Sequence, residues 1–337
     1  MLRATYWLLA LLIGLHTLAG AQTAADSSAF CNPSVLGLAR PKGIVFKYER
    51  IPEYHIRSRS PYEGIANNQG EVEHNRRLEF KAKVPLWSKP NLSIAAGFKY
   101  ATEKYTFDDP DNAYPFYQNL NGKTLKSIGG TLYVVKPFRG NRYFLLRAGG
   151  DLNGDYHLRD LSNRRFLRLS VSPLYGFKPN PSTTYAFGFS YNYVFGRSVV
   201  SPVLLYNHTF NNRWGVEMLL PASAKLRYSP NPQTNLYASA ELNGANYTVR
   251  LVDPVIAQLS TMYLQRSEVR MLLNYEREIY DFLWFGLEAG VRAPFNFALS
   301  ESVRTRRDPI IRNQLGSAML LNASIFVVPP RAFCKKK

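Results

Sequence analysis

The sequence lacks the features of a helical membrane protein and those of a motif-bearing enzyme. Outside the first 21 residues it has no run of 18 apolar residues, whereas a membrane-spanning helix needs roughly 20. Its 337 residues include five histidines and two cysteines, without a metal-ligand cluster, a CxxC pair or a glycine-rich phosphate loop. We therefore expect no cofactor, no metal site and no enzymatic activity.

The N-terminus has the organisation of a secretory signal peptide. Arg3 precedes the apolar residues 6–15, and the small residues Ala19 and Ala21 follow. A basic start, a short apolar stretch and a small-x-small end predict export with cleavage after Ala21. A soluble cytoplasmic fate is disfavoured.

Residues 184–195 (TYAFGFSYNYVF) carry an aromatic ring at every odd position and a mostly small or polar residue at every even position. A strand sends alternate side chains to opposite faces, so this stretch predicts one aromatic face and one small face. Two interpretations fit it. Either the rings fill the core of a soluble β-sandwich, or they face lipid in a membrane strand.

The same period of two recurs from residue 42 to residue 328, and the connections between strands sort into two kinds. Short turns rich in Pro, Gly and Asn, such as 88–91 and 180–182, alternate with longer polar loops, such as 107–122. Outer-membrane barrels have short turns on one side and long loops on the other. We therefore predict an all-β, single-chain antiparallel transmembrane barrel, located in the outer membrane.

The strand count follows from the chain length. At roughly 45 residues per hairpin, residues 42–328 accommodate about 12 strands, with 10–14 possible, and single-chain bacterial barrels have even counts. Asn243-Gly244 interrupts one pattern and could be a hairpin turn or a bulge within one strand. The predicted segments are a signal peptide (1–21), a periplasmic lead-in (22–41), the barrel (42–328) and a basic tail (329–337).

Charged residues share the non-lipid face of the predicted strands. Lys or Arg in the hydrocarbon midplane costs about 2–4 kcal/mol, so these residues are assigned to the lumen. The lumen-lining candidates are Lys81, Lys83, Arg147, Glu217, Lys225, Arg227, Arg266, Glu268, Arg270, Glu288 and Arg292, joined by Lys47, Glu49, Arg77, Glu79, Lys99, Glu103, Asp151 and Glu276. Both charge signs are present. The lumen is therefore either closed by ion pairs or open as a mildly anion-selective pore.

The formal net charge of +18 indicates the chemistry of the partners. The basic residues are spread along the chain, and an exported protein meets no genome, so nucleic acid is excluded as a partner. We expect outer-membrane lipid and lipopolysaccharide, the barrel-assembly machinery and small anionic solutes as counterparts.

One part of the chain resembles the uncharacterised outer-membrane β-barrel family of Gram-negative bacteria. The residues that carry the resemblance are 205–210 (LYNHTF), 214–217 (WGVE), 220–221 (LP), 225–228 (KLRY) and 241–247 (ELNGANY). The resemblance implies a fold and a location. It implies no activity and no site residues.

Cys31 and Cys334 lie near the two ends of the mature chain. The termini of an even-stranded barrel lie on the same side, and an exported protein meets an oxidising environment. A Cys31–Cys334 disulfide is one prediction, and two unpaired thiols in the tails are the alternative.

Two further functions remain open. A surface-binding barrel would use the loop 107–122, with Tyr114, Phe116 and Tyr117 as its contact surface. A barrel lipase or protease would need a catalytic arrangement, for which Asp155, His157 and Asp160 are the nearest candidates. Their spacing resembles no catalytic signature, so solvated loop residues are the stronger interpretation.

Overall fold

The structure is a computed structural model, and it describes residues 35–62, 64–108, 114–157, 163–250, 261–302 and 309–334. The predicted signal peptide, Asp160 and the residues 335–337 of the basic tail lie outside the described residues. So does the predicted Cys31–Cys334 disulfide, because the description begins at residue 35.

The described chain is dominated by one antiparallel sheet. Two short helices, α1 (Pro115–Leu120) and α2 (Arg331–Cys334), and a 3-10 turn (Arg164–Phe166) accompany it. The strands are β1 (Ile44–Ile51), β2 (Tyr54–Arg59), β3 (Asn68–Lys89), β4 (Leu92–Phe107), β5 (Thr124–Phe138), β6 (Arg142–Gly154), β7 (Leu167–Asn180), β8 (Thr183–Asn192), β9 (Val199–Thr209), β10 (Trp214–Leu220), β11 (Ser223–Asn231), β12 (Thr234–Arg250), β13 (Thr261–Tyr280), β14 (Leu283–Ser300), β15 (Ile311–Leu315) and β16 (Ala318–Val327).

The sheet closes on itself through two interrupted strands. β3 pairs with both β1 and β2, and β14 pairs with both β15 and β16. β1 also pairs with β16, and β2 with β15. The seam at which the N-terminal strands meet the C-terminal strands is therefore hydrogen-bonded along its length. β1 and β2 together occupy one strand position of the barrel wall, and β15 and β16 together occupy another. The closed antiparallel barrel predicted from the sequence is thereby confirmed.

The predicted count of about 12 strands is wrong. The twelve continuous strands β3–β14 and the two interrupted ones make 14. The error lies in the assumed length of a hairpin, because β9–β12 place four strands within residues 199–250. β10 and β11 are short, and residues 221–222 join them where a long loop was expected.

Asn243-Gly244 is neither a turn nor a bulge. Both residues lie inside β12, and their register against β13 is continuous, with Asn243 opposite Glu268 and Gly244 opposite Ser267. Tyr247 and Val249 point inward and are buried. The sequence pattern changes at this point because the inner face of β12 turns from polar to apolar.

The outer face of the barrel is a band of exposed apolar side chains. Phe187, Phe189 and Leu273 are 53 %, 63 % and 70 % exposed, whereas Arg270 on the opposite face of β13 is 4 % exposed. This arrangement is the inverse of a soluble sandwich and is what a wall surrounded by hydrocarbon requires. No described helix is both long and apolar enough to cross a membrane.

The connections distinguish the two ends of the barrel. Turns of two to four residues (90–91, 139–141, 181–182, 210–213, 232–233 and 281–282) lie at one end, the short-turn end. The strands β4, β6 and β12, which longer connections follow in the sequence, end at the opposite end, the long-loop end. The two-residue turn between β10 and β11 is an exception at the long-loop end.

The β12–β13 hairpin leaves the wall near the long-loop end and leans across the lumen. Thr248 forms a parallel bridge to Gly154 of β6. Arg168 of β7 donates to the side chains of Asn246 and Thr248, each at 2.8 Å. At Gly244 a side chain has no room, because a Cβ would lie 1.9 Å from the carbonyl oxygen of Val194. The hairpin therefore narrows the lumen from one side.

Leu273→Arg tests the membrane-facing assignment. Leu273 is opposite Ala238 and Ala289 in the apolar band, so we expect the charge to lower the free energy of unfolding by about 2–4 kcal/mol. Urea unfolding in lipid vesicles, followed by tryptophan fluorescence, measures it. Leu273→Ala, which introduces no charge, is the control. If the arginine variant lowers the free energy of unfolding by less than about 0.5 kcal/mol, the site is exposed to water and the membrane-facing assignment is wrong.

Candidate functional site

A buried carboxylate surrounded by four guanidinium groups lies at mid-height in the lumen. Glu268 of β13 is fully buried, and its oxygens lie 2.9 Å from Arg77, 2.7 Å from Arg266, 2.6 Å from Arg270 and 3.1 Å from Arg292. Arg77 comes from β3, on the far side of the seam. The contacts therefore cross the interior of the barrel.

Two more carboxylates complete this charge layer. Glu49 accepts from Arg77 at 2.6 Å and from Arg270 at 2.9 Å. Glu103 contacts Arg77 at 3.0 Å and accepts from the Tyr247 hydroxyl at 3.1 Å. The charge layer is defined by Glu49, Arg77, Glu103, Arg266, Glu268, Arg270 and Arg292. Its four bases and three acids leave a net charge of +1.

The charge layer is stable only as a unit. Taking an ion out of water costs several kcal/mol, and close partners in a low-dielectric site return that cost. Arg292 has a further partner, since its guanidinium carbon lies 4.0 Å from the centroid of the Tyr54 ring. Because each ion depends on its neighbours, removal of one leaves the others uncompensated.

An apolar plug closes the lumen above the charge layer, toward the long-loop end. Helix α1, part of the β4–β5 connection, folds into the barrel, and its Phe116 and Tyr117 are 2 % exposed. Pro115 starts this helix with a preset φ. The plug is the cluster of α1 with Ile310 and inward side chains of the surrounding strands: Ile51, Tyr54, Ile56, Val72, Tyr105, Phe107, Tyr114, Phe116, Tyr117, Leu120, Leu125, Tyr247, Val249, Met262, Leu264, Leu272, Phe297, Leu299, Ile310, Ile311 and Leu320.

Ring contacts and one polar contact fix α1 in the plug. Tyr117 stacks on Phe107 at 4.9 Å between centroids, and Phe116 meets Phe297 edge-on at 6.1 Å. The Tyr117 and Ser58 hydroxyls are 2.9 Å apart. Burial raises the pKa of Tyr117, so the phenol is neutral in the plug.

The predicted contact surface on the loop 107–122 is therefore wrong. Tyr114, Phe116 and Tyr117 point into the barrel and are buried. The three rings, which suggested exposed contact residues, instead fill the lumen, because removing apolar surface from water stabilises the folded chain.

A water-accessible vestibule lies below the charge layer, toward the short-turn end. It contains a cavity of about 200 Å³ whose walls include Glu79, Lys81 and Lys99 and whose roof includes Arg270. The Lys81 side chain is 50 % exposed and lies 2.7 Å from Glu79.

Further bases line the same side of the vestibule. Lys83 and Arg147 are exposed, and Lys99 is half-buried. Among the described residues, none of these three has a carboxylate within ion-pair distance. Gly97 and Gly129 stand opposite Lys83 and Lys99 in the register. The Tyr133 ring packs next to Gly97, 4.2 Å from the Lys83 ammonium, and the Asp151 carboxylate lies against Gly129.

The structure places the eleven predicted lumen residues in three groups. Arg266, Glu268, Arg270 and Arg292 belong to the charge layer, and Lys81, Lys83 and Arg147 to the vestibule. The other four face the lumen in local ion pairs: Arg227 with Glu217 (3.2 Å), Lys225 with Glu241 (2.8 Å) and Glu288 with Lys47 (2.5 Å).

The N-terminal lead-in crosses part of the short-turn end. The Leu36 amide donates to the Pro181 carbonyl at 2.9 Å, and Arg40 donates to Asp281 at 3.2 Å. Arg331 of α2 binds the same carboxylate, so both terminal segments meet at the β13–β14 turn. The lead-in covers the β8–β14 side of the mouth and leaves the β3–β6 side to the vestibule.

The candidate catalytic loop residues have structural partners. Asp155 accepts from the Lys123 ammonium at 3.0 Å and from the Arg250 amide at 2.9 Å, which ties the β6–β7 and β4–β5 connections to β12. Within the described ranges, no group of three His, Cys, Asp or Glu side chains is arranged to hold a metal.

Sequence reasoning missed the plug and the leaning hairpin. The signal for the plug was that Tyr247 and Val249, although apolar, occupy inward-facing positions of β12, which was interpreted as a break in the pattern. The signal for the second was Gly244, which tolerates the close approach of Val194. Neither feature has a composition that separates it from an ordinary loop or strand.

Comparison with known proteins gives a family. The family model described as "Domain of unknown function (DUF6268)" matches residues 44–307, more than half of the chain. The protein belongs to this family. No match is found among the curated proteins.

Several solved barrel structures are similar at a distance. An outer membrane channel from Pseudomonas putida F1 has a TM-score of 0.40 and 10 % identity, over 87 % of this chain and 98 % of that one. A FadL homologue of Pseudomonas aeruginosa gives 0.38 and 11 %, over 90 % and 96 %. The toluene transporter TodX of Pseudomonas putida gives 0.31 and 11 %, over 90 % and 93 %. Similarity at this level says nothing of a solute.

Glu268→Gln tests the charge layer. The substitution keeps the shape but removes the charge that holds four guanidinium groups together, so we expect a loss of about 3–5 kcal/mol in the free energy of unfolding. Urea unfolding and heat-modifiable gel mobility measure it. Glu79→Gln, at the exposed Lys81 pair, is the matched control and is expected to cost about 0–1 kcal/mol. Equal losses in the two variants would show that Glu268 is not central.

Proposed function

We propose that the protein is an outer-membrane channel for small anionic solutes, closed at its outer end in this conformation. The lipid-facing apolar band and the predicted signal peptide support the location. The sorting of turns and loops supports an orientation with the short-turn end in the periplasm and the long-loop end outside. The observation that carries the function is a net-basic, water-accessible vestibule beneath a plug that includes α1, a helix outside the barrel wall.

The vestibule has the electrostatics of an anion port. Lys83, Lys99 and Arg147 have no carboxylate within ion-pair distance among the described residues. Lys81 is paired with Glu79 and is also exposed to solvent. The lining of the vestibule cavity carries six bases and four acids, and an excess of one charge sign in a cleft with low-dielectric walls concentrates counter-ions. Small anions would accumulate there in preference to cations.

The plug has the construction of a gate. Helix α1 belongs to a connection between β4 and β5, not to the wall, and it contacts the wall mainly through side chains. A connection can leave the lumen without breaking the barrel hydrogen bonds, whereas a strand cannot. Opening would therefore involve α1.

A structural barrel that conducts nothing is the second candidate. The charge layer supports it, because seven mutually paired ions at mid-height obstruct the lumen even without the plug. We propose no catalytic role for either candidate. Lipid, lipopolysaccharide and the barrel-assembly machinery remain the proposed partners, without nucleic acid.

Removal of the buried face of α1 tests the gate. We expect the wild-type protein to show rare, brief conductance steps in planar bilayers, and Phe116→Ala/Tyr117→Ala to raise the open probability, because both rings leave the plug. Gln118→Ala changes the exposed face of the same helix and is expected to match the wild type. Heat-modifiable mobility checks assembly of each variant. An assembled double variant without ionic steps would favour the structural barrel.

Charge reversal in the vestibule tests the selectivity. In the Phe116→Ala/Tyr117→Ala background, we expect Lys81→Glu/Lys83→Glu to move the reversal potential in a salt gradient from the anion toward the cation side. The reason is that the local potential changes sign where the solute enters. Lys89→Glu, at the β3–β4 turn, is the control with the same chemistry outside the vestibule. An unchanged reversal potential in the vestibule variant would remove these lysines from the permeation path.

A further inference from the structure

Three basic residues form a row on the outer surface of the barrel, behind the charge layer. Arg50 of β1 is directly opposite Arg76 of β3, and Arg76 is directly opposite Lys104 of β4. Each is the chain neighbour of a residue of the charge layer that points inward, so all three point outward. All three are exposed.

On β1, β3 and β4 the row borders the apolar band, whereas on β16 the exposed Leu321, directly opposite Arg50, continues that band. One register step toward the short-turn end, Tyr48, Leu78 and Thr102 face outward, and one step further Phe46, Phe80 and Tyr100 do so. On the other side of the row the outward residues of β2 and β3 are polar, with His55 opposite Glu71 and Arg57 opposite Gln69. Bases above apolar side chains match the headgroup and acyl chains of a lipid.

Within the part of the chain that the structure describes, the row has no acid within ion-pair distance. Among the described residues, no ion pair or side-chain hydrogen bond joins Arg50, Arg76 or Lys104 to a partner. The nearby exposed acids are Glu53, in the β1–β2 break, and Glu73, which lies 3.4 Å from His74. Adjacent strands are about 4.8 Å apart, and like charges directly opposite each other destabilise a sheet. An external anion at this position removes that cost.

We propose that Arg50, Arg76 and Lys104 form a binding site for the phosphate groups of a lipopolysaccharide molecule in the outer leaflet. The planar guanidinium groups offer paired donors to phosphate oxygens, and Lys104 adds a third positive charge at the same level. The acyl chains lie along Phe46, Phe80 and Phe98, the last two of which have ring centroids 6.3 Å apart. The site is independent of the lumen and of anion conduction, and it rests on the proposed outer-membrane location and orientation.

Binding of defined lipids to the full-length mature protein in detergent tests the site, with native mass spectrometry as the readout. The wild-type protein is expected to bind bis-phosphorylated lipid A more tightly than dephosphorylated lipid A. Each base near an anionic surface contributes about a factor of five, so Arg50→Gln/Arg76→Gln/Lys104→Gln is expected to weaken binding of the phosphorylated form about 100-fold and to abolish the preference. If the triple variant fails to assemble, the single variant Arg76→Gln replaces it and is likewise expected to weaken binding of phosphorylated lipid A.

A control variant separates the site from net charge. Lys136→Gln/Arg139→Gln/Arg142→Gln removes three exposed bases at the β5–β6 turn of the short-turn end and is expected to bind as the wild type does. An equal loss in this control, an unchanged affinity in the triple variant or equal binding of the two lipid A forms overturns the proposal. Displacement of lipid A by millimolar inorganic phosphate overturns it too, because the ligand is then a free anion rather than a lipid headgroup.

Discussion

The structure depends on one constraint: an ion inside the barrel must be paired with another ion or exposed to water. Glu268, fully buried among four arginines, meets it by pairing, and Lys81 in the vestibule meets it largely by hydration. The boundary between these two regimes divides the lumen into a sealed outer half and an open inner half. The charge layer forms that boundary, because its members lie between the apolar plug and the water-accessible cavity.

The same constraint determines what the wall strands carry. Neighbouring residues such as Glu49 and Arg50, or Glu103 and Lys104, are both charged, yet they meet opposite environments because a strand alternates its faces. Glu49 and Glu103 pair within the lumen. Arg50 and Lys104 face outward and are exposed, and we propose a lipid headgroup as their partner. The same strands thus carry members of the internal charge layer and of the proposed lipid-binding site on adjacent residues.

The faces could be predicted from the sequence, because a period of two and the cost of a charge in hydrocarbon act on each strand locally. This reasoning assigned Arg266, Glu268, Arg270 and Arg292 to the lumen. Pairings such as Arg77 with Glu268 could not be predicted, since closure of the barrel, not local pattern, brings residues 191 positions apart together. The strand count failed where hairpins are unusually short, and the plug was missed because α1 has the composition of an exposed aromatic loop.

The energy that keeps the lumen closed resides in the plug more than in the charge layer. If water entered, Glu268 and its arginines would lose contacts but regain hydration, so the two changes would largely offset each other. Phe116, Tyr117 and Phe297 would regain nothing, since exposed apolar surface costs about 25 cal/mol per Å². In the proposed channel, the charge layer therefore serves as a wettable filter, and the apolar plug serves as the gate that decides whether water reaches the long-loop end.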